Sequence, residues 1–195
     1  MSWHQLLTDI RACQLCEKHL PLGARPVVQL HPDARILVAG QAPGKKVHRS
    51  GKPFDDASGD RLRSWLGVDT NTFYDAQKLA IVPMGFCYPG TGKSGDMPPR
   101  PECAATWRAS IMQQLPNIEL VLAIGQYAQQ WHITRHFNEP RQTLTARVQN
   151  WQTYLSVGVL PLPHPSPRNN LWLRRNPWFE TNVLPELKRR VAKLL

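Results

Sequence analysis

The sequence has no apolar run approaching the roughly 18 residues that a membrane-spanning helix needs, which excludes a helical transmembrane protein. Its opening, Met1-Ser2-Trp3-His4-Gln5, lacks the basic start and continuous apolar stretch of a signal peptide, so a cytoplasmic, reducing setting is expected. Cysteine is scarce, with 4 among 195 residues. In a reducing compartment such cysteines are poor disulfide candidates, and their spacing reads instead for metal or redox chemistry. Internal repeats and low-complexity segments are absent, and the 18 prolines are scattered between apolar segments instead of forming a linker. One domain over residues 1–195, acting as a monomer, is expected; a chain of this length buries a core without disulfide staples.

Negative charge is also in short supply: 14 Asp and Glu face 24 Lys and Arg, a formal net charge of +10. That excess favours a polyanionic partner such as nucleic acid, and speaks to association, not to fold.

What is present alternates between helix and strand signals. Over residues 3–18, Leu6, Leu7, Ile10 and Leu15 recur near a 3.6-residue period and predict a helix. Residues 35–39 predict a buried strand that ends in the loop Gly40-Gln41-Ala42-Pro43-Gly44. A helix over 58–66, a strand over 79–82 and a glycine- and proline-rich loop over 88–101 follow. Then come a helix over 102–115, strands over 118–124 and 154–160, and a closing helix with the polar stretch 186–193. Strands apolar on both faces and separated by helices predict a three-layer α/β/α domain with a four-stranded, mainly parallel central sheet. Ligands in such sheets gather at the carboxyl ends of the strands, where the loops after Ala39, Val82 and Leu160 would lie.

Cys13 and Cys16 form a C-x2-C pair, and Cys87 and Cys103 a C-x15-C pair. At i and i+3, Cys13 and Cys16 would share one face of the expected first helix, where two thiolates converge. The second pair brackets the 88–101 loop, so one metal centre would staple that loop to the N-terminal helix. Zinc and an iron–sulfur cluster both accept four thiolates. Because the second pair is wide, iron–sulfur is preferred over zinc; four unrelated buried cysteines are the plain alternative.

The loop at 40–44 and the segment His164-Pro165-Ser166-Pro167-Arg168-Asn169 together resemble motifs 1 and 2 of the uracil-DNA glycosylase superfamily. The cysteine spacing is similar to that of its iron–sulfur families 4 and 5, whereas the ending Pro167-Arg168-Asn169 resembles the single-strand-selective monofunctional glycosylases. The resemblance runs in register from Cys13 to Asn169. It implies a DNA glycosylase of base excision repair, which flips uracil or another deaminated or modified base and hydrolyses its N-glycosidic bond. It further implies DNA as partner and a 4Fe-4S cluster held by the four cysteines.

Residue by residue, the resemblance implies that Phe54 stacks on the flipped base, Asp56 activates water and His164 contacts a base carbonyl. Gln41 joins that catalytic set; Gly40, Ala42, Pro83 and Met84 line the base pocket; Pro43, Lys45, Lys46, Ser166, Pro167 and Arg168 meet the DNA. Two departures matter. Gln41 and Ala42 stand where many relatives carry a catalytic carboxylate or asparagine, and a glutamine cannot act as a base, which moves that role to Asp56. Pro83, four residues before Cys87, replaces the asparagine that reads uracil's edge in uracil-specific members. No lysine lies in a recognised motif as a Schiff-base nucleophile, although Lys52 is near, so a monofunctional enzyme is expected. The rival expectation is an iron–sulfur DNA-binding protein with weak or no cleavage, favoured by Gln41, Ala42 and Pro83.

The chemistry explains why these residue types suit the task. The base must leave the stack before its glycosidic bond is reachable. It then departs as an anion while the sugar becomes oxocarbenium-like, so the site needs donors at the base oxygen and a carboxylate near the sugar. His164 and the amides of residues 40–44 could serve the first need and Asp56 the second. Asp56 and Asp60 could also be caps of the helix that follows, and Phe54 a core residue. Lys45, Lys46, His48, Arg49 and Lys52, together with Arg168, Arg174 and Arg175, read as phosphate contacts, with Trp172 as a wedge or a packing residue. Lys188, Arg189, Arg190 and Lys193 read as a solvated helix face.

Overall fold

A computed structural model describes residues 2–93, 95–140 and 142–195. Its centre is a four-stranded, all-parallel sheet made of β1 (Ile36–Ala39), β2 (Leu79–Ile81), β5 (Leu120–Ile124) and β6 (Val159–Leu162), in the order β2-β1-β5-β6. A two-stranded hairpin, β3 (Thr91–Gly92) and β4 (Gly95–Asp96), lies outside it. The helices are α1 (Trp3–Arg11), α2 (Lys45–Ser50), α3 (Ala57–Leu66), α4 (Thr70–Phe73), α5 (Pro101–Gln113), α6 (Gly125–Thr134), α7 (Leu144–Gln149), α8 (Trp151–Leu155), α9 (Asn170–Arg175) and α10 (Leu184–Leu194).

Period-2 alternation divides the strand residues between two cores. Leu37, Ala39, Ala80, Val121, Ala123 and Val159 pack with Leu6 and Ile10 of α1, Ile111 of α5 and Ala128 and Ile133 of α6. Ile36, Val38, Leu79, Ile81, Leu122 and Leu160 pack instead with Leu62 and Leu66 of α3 and Leu187 and Val191 of α10. Each fully buried Leu or Ile contributes about 1.5–3 kcal/mol of transfer free energy, and both layers of helices are needed to cover the sheet. Among the described residues no helix is long and apolar enough to cross a membrane.

The chain leaves β1 towards β2 on one side and leaves β5 towards β6 on the other. Neighbouring loops therefore diverge at the carboxyl ends of β1 and β5, which opens a crevice there.

Several elements differ from the sequence expectation. Helix α1 stops at Arg11, because only Leu6 and Ile10 are buried in it; Leu15 is 60% exposed and does not extend the apolar stripe. Cys13 and Cys16 consequently do not share a helical face: both follow the helix, Cys16 at the start of the 3-10 turn Glu17–His19. The last strand begins at Val159. Tyr154 and Leu155, apolar and buried, belong to α8, and the chain turns into the strand at Gly158, whose φ of +77° suits glycine. The basic run after residue 44 is helix α2, and the 88–101 segment contains the hairpin.

Candidate functional site

A cleft of about 550 Å³ opens at the carboxyl edge of the sheet. The 40–47 segment, Phe54, Asp56, Pro83, the hairpin's Gly95 and Asp96, His164 and the 166–169 turn line it. The floor is fixed by backbone bonds that run on past the sheet. Val82 N–H donates to Val38 at 2.9 Å, Met84 N–H to Gly40 at 2.8 Å and Gly85 N–H to Gln41 at 2.9 Å.

Phe54 has a φ of +55°, the one positive value at a non-glycine among the described residues. Such backbone costs about 1–3 kcal/mol and persists only where surroundings impose it. Two glycines leave room for it here. A Cβ on Gly40 would lie 3.4 Å from the Phe54 ring, and at Gly59 there is no room for one because the Phe54 carbonyl lies against it. The ring stands edge-on to Phe73 at 6.2 Å, so Phe54 both lines the cleft and packs on the core.

Asp56 is the N-cap of α3: its Oδ1 accepts the Gly59 N–H at 3.0 Å. Its Oδ2 lies 4.0 Å from where a Cβ on Gly44 would sit, and Asp96 Oδ2 lies 3.5 Å from the same point. Gly44 therefore keeps a gap open beside two carboxylates. Asp60, by contrast, is exposed and paired with Arg63 at 2.6 Å, away from the cleft lining.

His164 Nδ1 accepts the Ser166 N–H at 3.1 Å, which leaves the ring proton of the neutral form on Nε2. Its carbonyl accepts from Asn169 Nδ2 at 2.7 Å. Burial pushes its pKa below the ordinary histidine value; Asp56 and Asp96 oppose that, and Arg168 adds to it. The ring is a neutral N–H donor at neutral pH. Arg61 of α3 holds the turn that carries it, donating to the Ser166 carbonyl at 3.2 Å and to Asn170 Oδ1 at 2.8 Å.

Gln41 lines the cleft, but its Nε2 donates across to the Met97 carbonyl at 2.9 Å, just beyond the hairpin. Arg168 reaches the hairpin from the opposite side: a Cβ on Gly95, whose φ is +135°, would lie 2.6 Å from its Nη1. Gly40, Ala42, Pro43, Lys45, Lys46, Pro83, Ser166 and Pro167 all line the cleft. Met84 does not. Its side chain is 5% exposed and packs in the core beside α1 and α5, because the residue after Pro83 turns inward as its amide bonds to Gly40.

The basic residues sort by exposure. Lys45, Lys46 and Arg49 are exposed on α2, and Arg168, Arg174 and Arg175 are exposed around α9. His48 is buried, and burial followed by nearby Arg25 lowers its pKa, so it is no phosphate contact. The Lys52 Nζ rests 3.8 Å from the centre of the Tyr74 ring, and the residue is not part of the cleft lining. Trp172 is a packing residue: Nε1 donates to Thr145 Oγ1 at 2.9 Å and the ring meets Phe179 at 5.8 Å. Arg189 and Arg190 pair with Glu186 on the outer face of α10.

All four cysteines line a second, smaller cavity, together with Leu20, Pro26, Phe86, Arg100 and Trp107. The Phe86 N–H donates to Cys103 Sγ at 3.4 Å. Burial pushes the Cys87 thiol up to about 11 and the Cys103 thiol to about 12, so without a cation both stay protonated at neutral pH. Among the described residues no three His, Cys, Asp or Glu side chains are gathered to hold a metal ion. The donor chemistry nonetheless suits a thiophilic centre: four sulfurs border one apolar space. Trp107, whose buried Nε1 has no hydrogen-bond partner among the described residues, borders it too.

Sequence reasoning missed Asp96 and Arg61, and it quoted Asn169 at the end of the second loop without giving it a role. Asp96 had one available signal, a carboxylate inside a glycine-rich loop that follows a strand's carboxyl end in a strongly basic chain. A family model described as the Uracil DNA glycosylase superfamily matches residues 27–188.

Proposed function

The chain belongs to the uracil DNA glycosylase superfamily, and on that premise we propose that it is a monofunctional DNA glycosylase that flips a deaminated or otherwise modified base and hydrolyses its N-glycosidic bond. The observation that carries this reading is the convergence of Phe54, Asp56 and His164 on one cleft, with His164 coming from the far end of the chain. The flipped base would stack on Phe54, with the His164 Nε2–H donating to a base carbonyl where charge develops. Asp56 would serve with its free oxygen, the other being held by α3. Lys45, Lys46 and Arg168 would neutralise phosphates, which hold register without reading sequence.

Pro83 has no N–H, and its carbonyl accepts from Arg108 Nη1 at 3.1 Å, so this wall offers the base edge an apolar surface. That supports a pocket tolerant of bases other than uracil. Cys13, Cys16, Cys87 and Cys103 would hold a 4Fe-4S cluster, with zinc as the lesser alternative. Such a centre would supply a structural tie between the chain after α1, the Cys87 loop and α5.

Binding without cleavage is a second reading, favoured by the engagement of Gln41 with Met97 and by the absence of a carboxylate in the 40–44 loop. The test is a panel of single-stranded and duplex oligonucleotides carrying uracil, hypoxanthine, xanthine or larger modified bases. After incubation, alkali reveals abasic sites. Strand cleavage at one of these bases supports the enzyme, and tight binding with no abasic sites supports the second reading.

A further inference from the structure

The hairpin β3–β4 is joined to the cleft at three points. Gln41 Nε2 donates to the Met97 carbonyl at 2.9 Å, the Arg168 guanidinium packs on Gly95, and Asp96 lines the cleft beside Gly44. Asp96 Oδ1 is within 3.3 Å of the Thr91 hydroxyl across the hairpin, so the carboxylate is held from its own element. Its Oδ2 borders the same gap over Gly44 that Asp56 Oδ2 borders. Neither carboxylate is in an ion pair among the described residues, although the chain carries a net charge of +10.

The two carboxylates are not equivalent. Asp56 is committed through Oδ1 to the Gly59 amide. Among the described residues the Asp96 side chain has only the long contact to Thr91, and it sits on a segment that reaches the cleft from outside the sheet. Asp56, Asp96 and His164 all line the same cleft, so the three groups border one volume.

We propose that Asp96 is a catalytic carboxylate of this cleft and that Gln41 is the residue that positions it. The proposal rests on the base-excision reading. In the hydrolytic step, a water oxygen bonds to the anomeric carbon and the bond from that carbon to the base nitrogen breaks, its electron pair leaving with the base. Asp96 takes the proton of the attacking water, Asp56 Oδ2 offsets the positive charge on the sugar, and the His164 Nε2–H holds the departing anion, which is then protonated by solvent. Gln41, unable to act as a base, serves instead as the tether that brings the hairpin's carboxylate to the loop that lacks one.

Single-turnover base release tests this on duplexes carrying uracil, hypoxanthine or xanthine. Four proteins are compared: the unaltered chain, Asp96→Asn, Gln41→Ala and the double variant. Asp96→Asn changes an exposed, isosteric group and should leave thermal stability and duplex affinity unchanged while slowing release about 100-fold. Gln41→Ala should slow release about tenfold or more by displacing the hairpin, and should add nothing in the Asp96→Asn background, the non-additivity expected of two residues that act as one unit. Undiminished release by Asp96→Asn overturns the catalytic assignment. Multiplying effects in the double variant overturn the tether. Release of no base by the unaltered chain from the whole single-stranded and duplex panel, larger modified bases included, overturns the excision reading itself.

Discussion

Arg108 Nη1 donates to the Pro83 carbonyl at 3.1 Å and to the Val82 carbonyl at 2.7 Å, fastening the middle of α5 to the strand end that walls the cleft. The guanidinium is fully buried and has no carboxylate partner among the described residues. Burial lowers its pKa to about 9, and it remains a cation at neutral pH. Its second nitrogen meets His132 Nε2, so the imidazole is the acceptor and keeps its proton on Nδ1. One helix thus carries both a cysteine of the small cavity and the clamp on the wall of the cleft.

His132 gives a pH prediction. Burial, and then Arg108, pushes its pKa well below the ordinary value, and burial lowers His48 and His164 as well. As pH falls through about 6.5 the unfolded chain takes up protons that the folded chain refuses, so stability falls by up to about 1.4 kcal/mol per pH unit for each such histidine. It is fully present above that pH. Urea midpoints measured from about pH 8 to pH 5 should decline, and His132→Gln should flatten the decline. An unchanged slope would place the acid sensitivity elsewhere.

Removing the clamp should be felt in stability and in the cleft. Arg108→Met leaves two buried carbonyls without their donor and should cost about 2–5 kcal/mol. Denaturant titration measures the loss.

Asp56→Asn should separate binding from chemistry. Asparagine caps a helix nearly as well as aspartate, so the fold and DNA affinity should stay, while excision slows about 100-fold or more if the free oxygen contributes to chemistry. Single-turnover rates beside duplex affinities provide the check. Full activity would reduce Asp56 to its place at the start of α3.

Salt should weaken binding steeply. Each lysine or arginine that neutralises a phosphate contributes about −0.9 to the log–log slope on duplex DNA, and Lys46→Ala should reduce the slope by about 1. Titration by fluorescence anisotropy at several salt concentrations measures it, and an unchanged slope removes Lys46 from the interface.

A thiolate-bound iron–sulfur centre absorbs visible light, so the protein purified without oxygen should be brown and should lose its colour on treatment with an iron chelator. Cys87→Ser should bleach it and loosen the hairpin segment, seen as faster amide exchange over 88–101. A colourless protein that takes up stoichiometric zinc would assign the cavity to that ion.

The sheet could be read from sequence because β1, β2 and β5 are apolar on both faces, and flanking helices bury them from both sides. The two cleft loops could be read because each follows an apolar strand, residues 40–44 after β1 and 164–169 after β6. Helix α1 was overextended because Leu15 continued an apolar period that burial does not honour. Tyr154 and Leu155 misled for the opposite reason: a short buried run has no period that separates helix from strand. Arg108 escaped because its meaning depends on a contact with Pro83, far along the chain, that no local pattern encodes, and Asp96 offered only its loop composition, its place beside Gly44 being set by the fold.

The segment that carries Asp96 leaves the body of the protein and returns to it at almost the same place. Cys87 and Cys103 border one cavity, the Phe86 amide reaches Cys103 at 3.4 Å, and a Cβ on Gly85 would lie 2.9 Å from Pro99. Closing a loop of twice the length costs only about 0.6 kcal/mol more. Chain-closure entropy therefore sets little limit on the length of that stretch: what it extends into the cleft depends on its own sequence, while the two anchor points and the sheet beneath do not depend on how long it is.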